Sequence, residues 1–479
     1  MTQSRTRSSP GLDKLHVLDE RGGRRYLYPA DVQGRFTRWR PRIFALLLLI
    51  YLALPWITVN GHPAVFINIL ERRFYLFGKV FNAQDFFYLF FVLSGVGFVL
   101  IVLAALFGRI WCGWACPQTV LLEGVYRRIE RLIEGPAAAR AALARAPWTL
   151  NKLARRVLKH ALFLLVSFVL AHLFLAYFVS IPELLRMMRD NPLANWTAFL
   201  WGIGLTGVLY FNFFWFREQF CLILCPYGRL QSAMQDRDTV VIGYDKRRGE
   251  PRGKVGAPGA GDCVDCRRCI AVCPTDIDIR NGLQMECIGC AGCIDACDEI
   301  MVKLGRKPGL IRYDSERALD GEPRRFIRPR VVAYAGLGLL GLLALATAFA
   351  RYQPFEANLV RGRGAPYVLD GDTVRNHVLV HVINKRAEPV TLRISAPPAD
   401  AAAPQGGPPA LQVLIPQPEA SLAPLESRAI AVVLSAPKSG FRPGRHATLR
   451  ITDERSGAVR ELEVPFAGPL LFAAPGRSP

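Results

Sequence analysis

The stretch 263–274 reads CVDCRRCIAVCP, and the stretch 287–298 repeats its cysteine spacing as CIGCAGCIDACD. Each run has the form C-x2-C-x2-C-x3-C, which is typical of two-cluster ferredoxins, where the fourth cysteine of a run binds the other cluster. The spacing therefore predicts two [4Fe–4S] clusters. One ligand set is Cys263, Cys266, Cys269 and Cys297, and the other is Cys287, Cys290, Cys293 and Cys273.

Zinc is the alternative occupant of cysteine-rich motifs. Zinc sites usually take two C-x2-4-C pairs separated by a longer spacer, and two runs of four closely set cysteines fit that pattern poorly. All twelve cysteines of the chain fall in motifs, and the chain after Cys297 contains none. This clustering indicates metal or cluster ligation in a reducing compartment rather than a disulfide framework. We expect a ferredoxin-like electron-transfer module at about 255–305.

Long apolar runs surround this module. Hydrophobic residues make up 51% of the 479-residue chain, and the mean hydropathy is +0.20. Uncharged apolar runs of about 20 residues, the length that crosses a bilayer, occur near 43–59, 86–108, 160–181, 197–216 and 331–350. Buried helices of a soluble protein would be shorter and amphipathic. The sequence therefore predicts a membrane α-helical protein with five transmembrane helices.

The distribution of Lys and Arg predicts the orientation of these helices. The segments 1–42, 60–85, 109–159, 182–196 and 217–330 hold ten, three, ten, two and twenty of these residues. By the positive-inside rule, 1–42, 109–159 and 217–330 are cytoplasmic. The region 355–479 is then periplasmic, and the protein lies in a bacterial inner membrane. The formal net charge of +21 is explained by basic loops beside anionic lipid, so no nucleic-acid partner is expected.

Two further cysteine pairs follow the second and fourth apolar runs, in WCGWACPQTV and FCLILCPYG. We call Cys112, Cys116, Cys221 and Cys225 the C-x3-C-P cysteines. A four-residue step places both cysteines of a pair on one face of a helix, and the proline suits a helix end or kink. If the two helices meet, four soft thiolates converge. Copper, a third cluster and a redox dithiol pair are all open, as is simple packing of small apolar side chains.

The last part of the chain changes character after about residue 355. Short runs rich in β-branched residues, such as HVLVHVIN, RAIAVVLSAP and RELEVPF, alternate with turn residues. About seven such strands predict an immunoglobulin-like β-sandwich, and the Pro- and Ala-rich stretch 396–410 predicts a long loop. No catalytic constellation is visible in this region, so we expect it to bind or dock.

The order of these features resembles the CcoG/FixG/RdxA family of membrane polyferredoxins that accompany cbb3-type cytochrome c oxidase. The resemblance covers nearly the whole chain, including YPADVQGRFTRWR at 28–40 and both C-x3-C-P motifs. It implies a role in copper supply to the oxidase, by reduction of Cu(II) to Cu(I). It also implies that the twin runs store and carry electrons while the C-x3-C-P cysteines form the copper end.

The functional prediction is therefore a membrane-bound iron–sulfur protein acting as a cupric reductase in oxidase assembly. Two alternatives are an electron-transfer subunit for another respiratory partner and a non-redox assembly scaffold. The sequence shows no nicotinamide or flavin motif, so a cytoplasmic electron-donor protein is expected as a partner. The other expected partners are oxidase assembly or copper-handling proteins.

Overall fold

A computed structural model describes residues 26–69, 71–81, 85–350, 353–361, 365–386, 388–397, 411–442 and 444–468. Most of the predicted N-terminal segment, most of the predicted loop at 396–410 and the last eleven residues lie outside the described residues. Contacts divide the chain into two units. The first is Met1–Ile57 with Tyr88–Leu345, and the second is Thr58–Phe87 with Ala346–Pro479.

Among the described residues, five helices are long and apolar enough to cross a membrane, as the sequence predicts. They are Arg35–Trp56, Tyr88–Phe107, Leu150–Val179, Trp196–Phe216 and Pro329–Thr347. Between 6% and 28% of the most apolar stretch of each helix is buried inside the protein. Such outward-facing apolar side chains suit lipid, so the chain is an integral membrane protein. We refer to these helices as spans 1 to 5.

The α-helices range from single turns to the 30-residue helix of span 3. In chain order they are α1 (Arg35–Ala53), α2 (Phe86–Phe107), α3 (Ile110–Trp114), α4 (Pro117–Leu121), α5 (Arg127–Glu134), α6 (Ala137–Arg145), α7 (Leu150–Val179), α8 (Ile181–Arg189), α9 (Trp196–Phe211), α10 (Pro226–Met234), α11 (Lys246–Gly249), α12 (Arg268–Ala271), α13 (Gly292–Lys303), α14 (Glu316–Leu319) and α15 (Pro329–Ala350).

The strands are short in the first half of the chain and longer in the second. They are β1 (Thr58–Val59), β2 (His62–Pro63), β3 (Val65–Asn68), β4 (Arg73–Leu76), β5 (Lys79–Phe81), β6 (Val241–Tyr244), β7 (Ile311–Asp314), β8 (Phe355–Arg361), β9 (Val368–Asp370), β10 (Thr373–Asn384), β11 (Val390–Ser395), β12 (Gln412–Leu414), β13 (Glu419–Leu422), β14 (Ser427–Pro437), β15 (His446–Asp453) and β16 (Val459–Pro465).

The cysteine-rich module is closed by an antiparallel pair of strands, β6 and β7, which lie before and after it in sequence. Their side chains Ile242 and Ile311 share one buried core with Met301 and with cysteines of both runs. The packed core of the module thus extends beyond the predicted limits of 255–305. This core shields most of the sulfur atoms from water, although Cys266 is exposed, and such shielding protects a cluster and tunes its potential.

The module is fixed to span 1 by one carboxylate. Asp295 of α13 is 4% exposed and accepts hydrogen bonds from the backbone N–H groups of Phe36 (3.2 Å) and Thr37 (2.6 Å). The hydroxyl of Thr37 donates to the same carboxylate at 2.6 Å. The position before α1 is Gly34, which has no side chain to cap the helix. Asp295 therefore acts as the N-cap of α1 from 258 residues away.

A buried ionic cluster joins the loops around spans 2, 3 and 4. Glu130 accepts from Arg217 at 2.7 Å and lies 3.9 Å from Lys159, which pairs with Glu134 at 2.8 Å. All four side chains are less than 10% exposed. Burial disfavours ionisation of Glu130, but the Arg217 guanidinium outweighs it and lowers the pKa of the carboxyl. Removing one member would leave uncompensated buried charge.

The C-terminal region of the second unit is an immunoglobulin-like sandwich of antiparallel strands. One sheet has the order β12-β14-β10-β8, with β9 on β10, and the other has the order β13-β11-β15-β16. Alternate residues of the long strands, such as Val380, Val382, Leu449 and Ile451, fill the core between the sheets. The predicted sandwich is confirmed.

One carboxylate is fully buried at the end of β15. Asp453 accepts from Arg386 at 2.7 Å, from the backbone N–H of Arg455 at 3.0 Å and from the hydroxyl of Ser456. Burial opposes its ionisation, but these donors outweigh burial and lower its pKa.

The connection between spans 1 and 2 packs against this sandwich within the second unit. It forms a three-stranded sheet, β3-β4-β5, whose buried Phe66, Tyr75 and Val80 contact Leu425. Arg73 donates to the carbonyl oxygen of Leu425 at 2.9 Å. The sequence did not predict this small sheet, because its strands are only three or four residues long.

Candidate metal centres

The twin runs surround two cavities, and each cavity is lined by one of the predicted ligand sets. Cys297 joins three cysteines of the first run around one cavity. Cys273 joins three cysteines of the second run around the other. The exchange of the fourth cysteine stays a prediction, and these cavity linings are the arrangement that it requires. Tyr244 also lines the first cavity, beside Cys263.

The two runs share an unusual backbone geometry that explains how they wrap a cavity. Asp265 and Arg267 in the first run, and Gly289 and Ala291 in the second, all have positive φ. These are the second and fourth residues after the first cysteine of each run. Three of the four are not glycine, so each loop holds a conformation that costs energy for an L-residue. Cluster ligation repays such a cost, because it requires the three sulfurs to point inward.

The two runs differ in their helices. The helix α13 starts at Gly292 and contains both Cys293 and Cys297, while Cys273 follows the end of the four-residue α12. The twin runs therefore have equivalent loops but unequal helices.

The chemistry of these thiols fits a cationic iron centre. Burial raises the pKa of Cys269, Cys287 and Cys297 to about 12. Such thiols ionise at neutral pH only when a metal replaces their protons. The hydroxyl of Thr275 lies 3.3 Å from the sulfur of Cys273, where it can donate to a thiolate. A [4Fe–4S] cluster in each cavity would supply storage and transfer of one electron at a time.

The C-x3-C-P pairs do not lie on one face of a continuous helix, so that prediction is wrong. Cys112 lies in α3, but Cys116 is extended and precedes α4. Likewise Cys221 lies in the π-helical turn Phe220–Leu224, and Cys225 is extended before α10. The following proline disfavours helical backbone at the residue before it, which breaks each helix at the second cysteine.

Both motifs nevertheless fold alike and pack together. The N–H of Cys116 donates to the carbonyl of Trp111 at 2.9 Å, and the N–H of Cys225 donates to that of Phe220 at 2.8 Å. The thiol of Cys112 donates across to Gln231 of α10 at 3.2 Å. Gln118 of α4 pairs with Asn212 at 2.7 Å, next to the end of span 4.

Three of the four thiols have a raised pKa, to which neighbouring thiols contribute. Burial raises the pKa of the Cys221 thiol to about 12, and Cys116, Cys112 and Cys225 add to the shift. Burial also raises the pKa of Cys112 and Cys116, which interact with Cys225. Spans 2 and 4 thus bring the four thiols together at their ends.

This thiol group lies directly against the second cysteine run. Cys112 packs with Ile288 and Cys290 in one buried group. A Cβ atom on Gly113 would lie 2.7 Å from the carbonyl oxygens of Ile288 and Gly289, so only glycine allows this approach. The thiols of the module and those of the spans therefore form one continuous series.

Three residues that sequence reasoning missed shape this junction. The guanidinium of Arg109 is 8% exposed, bonds to the carbonyl of Met285 and acts electrostatically on both Cys112 and Cys287. Tyr313 donates to the carbonyl of Gly289 at 2.6 Å and accepts from Trp114 at 3.1 Å. An arginine or an aromatic residue near a membrane surface is common, so the sequence carried no specific signal for them.

Within the described part of the chain, no three Cys, His, Asp or Glu side chains are arranged to hold one metal ion. This holds for the twin runs as well as for the C-x3-C-P cysteines. In a cubane cluster each thiolate binds a different iron, so the sulfurs stand farther apart than around one ion.

Three family models match the chain. A "4Fe-4S dicluster domain" matches residues 216–316, and a "4Fe-4S binding domain" matches 88–136. An "IG-like fold at C-terminal of FixG" matches 345–469. The first of these covers the twin runs with Cys221 and Cys225, while the second covers only Cys112 and Cys116.

Similar proteins span most of the chain. The nitrogen fixation protein FixG of Rhizobium meliloti is 36% identical over 418 residues, which are 78% of this chain and 79% of that protein. Protein RdxA of Cereibacter sphaeroides is 38% identical over 342 residues, 67% of this chain and 71% of that protein. The ferredoxin-type protein NapH of Haemophilus influenzae is 25% identical over 232 residues, 45% of this chain and 68% of that protein.

Proposed function

Because the chain belongs to the FixG/RdxA family of membrane-bound iron–sulfur electron-transfer proteins, we propose that it is a cupric reductase. In this proposal it reduces Cu(II) to Cu(I) and thereby supports assembly of a cbb3-type cytochrome c oxidase. The observation that carries the proposal is the series of buried thiols from the first cavity to the ends of spans 2 and 4. Clusters held along such a series would carry electrons one at a time.

The eight cysteines of the twin runs hold the two [4Fe–4S] clusters in this proposal. Their loops fix the sulfurs, and the strands β6 and β7 keep water out. A cytoplasmic donor protein supplies the electrons. Cys266 is the exposed member of the first set, so the first cavity is the natural point of entry.

The second cavity lies next to the C-x3-C-P cysteines, and these form the exit. The guanidinium of Arg109 acts on both the second cavity and the C-x3-C-P cysteines. It favours the reduced state of a redox group bound at either site, because its positive charge offsets the negative charge that an added electron brings. Each electron that leaves converts one Cu(II) to one Cu(I), and no proton or bond is exchanged. Cu(I) is the state that thiolate carriers bind and pass on, so the product suits delivery to another protein.

The two units support the predicted orientation. The first contains the basic segments 109–159 and 217–330, and the second contains the loop after span 1 together with the sandwich. We infer an inner-membrane protein with its clusters in the cytoplasm and its sandwich in the periplasm. The sandwich then docks the protein to oxidase assembly or copper-handling partners.

The proposal is tested with the protein purified anaerobically in detergent, reduced, and freed of excess reductant. We expect Cu(II) added with a Cu(I)-selective chelator to yield about one Cu(I) per electron stored. The variant Cys269→Ser should lose most of this yield, because it removes a ligand between the donor side and the exit. Ala115→Ser adds a hydroxyl within a motif without removing a thiol and serves as the matched control.

Two outcomes would replace the proposal. If reduced protein transfers no electrons to Cu(II) but does so to a respiratory partner, the protein is an electron-transfer subunit, as the similarity to ferredoxin-type NapH favours. If Cys269→Ser leaves oxidase assembly intact in cells, the clusters are structural and the protein is a scaffold.

A further inference from the structure

The C-x3-C-P cysteines have a geometry that a single ion does not explain. Four buried or half-buried thiols come from two segments more than 100 residues apart, and these segments meet where the Cys112 thiol donates to Gln231 of α10. No three of these described side chains are placed for one metal ion. All twelve cysteines are free thiols, so the pairs are not disulfides. The matched region 88–136 contains only two cysteines and cannot supply four ligands alone.

The two motifs present their sulfurs in equivalent ways. In each, the N–H of the second cysteine bonds five residues back, and the second cysteine is extended before a helix that starts with proline. Each motif therefore offers two thiols from similar backbones. Two such pairs facing each other match the four corners of a cubane.

Two buried donors beside these thiols lack partners among the described residues. The side chain of Gln231 is fully buried, and its amide nitrogen has no hydrogen-bond partner, although its oxygen accepts from Cys112. The Nε atom of Arg109 is also buried without a partner. Unsatisfied donors of this kind cost free energy unless a group bound at the site accepts from them. An anionic sulfur-rich group satisfies both a cationic side chain and an amide N–H.

We propose that the four C-x3-C-P cysteines together bind a third [4Fe–4S] cluster, with Cys112 and Cys116 on one side and Cys221 and Cys225 on the other. The cluster would lie against the second run through Cys112, Ile288 and Cys290. Copper is then reduced at this end of the series and is not stored there. The inference rests on the iron–sulfur part of the proposed function and not on copper.

A third cluster differs from a Cu(I) site and from a dithiol pair in how many of the thiols and buried donors it uses. A two-coordinate Cu(I) would use one pair of thiols and leave the other pair idle beside two orphaned donors. A redox dithiol likewise uses one pair of thiols. A third cluster uses all four sulfurs, and it gives Arg109 and Gln231 an acceptor.

The test is the iron and acid-labile sulfide content of the full chain, purified anaerobically after cluster reconstitution. Three clusters give about 12 iron atoms per chain, and two give about 8. The double variant Cys116→Ser/Cys225→Ser should lose about 4 iron atoms and keep the spectra of the twin-run clusters. Ala115→Ser should keep all of them. Mössbauer spectra of the unaltered protein must place the whole of this iron in [4Fe–4S] clusters.

A content of about 8 iron atoms in the unaltered protein overturns the proposal, whatever the variants do. Copper that co-purifies with it and is lost in the double variant would then assign a copper site. The absence of copper, with thiols that titrate reversibly, would assign a dithiol. Because neither measurement involves Cu(II) reduction, failure of the third cluster and failure of the reductase proposal are distinguished.

Discussion

Replacing Asp295 with asparagine should loosen the first turn of span 1 where it meets the cysteine-rich module, without disturbing the clusters. The carboxylate accepts three hydrogen bonds from Phe36 and Thr37, at 2.6–3.2 Å. Asparagine keeps one acceptor oxygen and loses the charge that favours a helix N-terminus. Asparagine is itself a good N-cap, so the cost is that of the lost charge and the second acceptor oxygen, about 1 kcal/mol. This corresponds to a factor of roughly 5 in local opening.

The assay is hydrogen exchange at residues 35–38 in the detergent-solubilised protein, followed by mass spectrometry. Exchange there should accelerate about 5-fold in Asp295→Asn, with iron content unchanged. Asp298→Asn is the matched control. It makes the same change on the same helix, but Asp298 accepts from Gly309 at 2.7 Å within the module. Equal exchange at residues 35–38 in Asp295→Asn and the unaltered protein would refute the capping role.

Three further predictions concern burial, pH and close packing. Glu130→Gln leaves buried cations uncompensated and should destabilise the membrane region by about 3–5 kcal/mol. The melting temperature in detergent should fall accordingly. Glu183→Gln removes a carboxylate from an exposed ion pair and should leave the melting temperature unchanged. The pKa of Asp453 is lowered on folding, so its stabilisation is complete above the ordinary carboxyl pKa of about 3.9 and is lost as pH falls through the lowered value. The wild type and Asp453→Asn should therefore differ in the hydrogen-exchange protection of β15 near neutral pH and should become equal below the lowered pKa of Asp453. A difference that persists below this pKa would contradict the stabilising role of the Asp453 carboxylate. Gly113→Ala should push α3 away from the second cysteine run and slow electron exit, while the twin-run clusters remain. Gly95→Ala is the control and should do neither, because a Cβ atom at Gly95 meets open space.

The parts of the fold set by covalent spacing or by composition could be predicted. Thiolate ligation depends on spacing along the chain, so the cross-run sharing of Cys273 and Cys297 follows from the sequence. Membrane helices depend on the composition of about 20 consecutive residues, so the five spans are also visible. The sandwich follows from strand alternation, although its sheet order does not.

Contacts between distant segments could not be predicted. Nothing near Gly34 shows that its helix is capped by Asp295, because the two residues are 261 positions apart in sequence. The same holds for Gln231 beside Cys112 and for Leu425 beside the small sheet. The helix break at Cys116 was visible in principle, since a residue before proline avoids the helical region. The four-residue periodicity of the cysteines favoured a continuous helix, but the proline decided the conformation.

The most direct test of electron delivery to copper is a Cu(II) titration of the anaerobically reduced protein followed by EPR. If the protein is a cupric reductase, the signals of the reduced clusters decrease in step with added Cu(II), while the Cu(II) signal stays absent until the stored electrons are spent. Reduced-cluster signals that persist beside a growing Cu(II) signal would contradict electron delivery to copper.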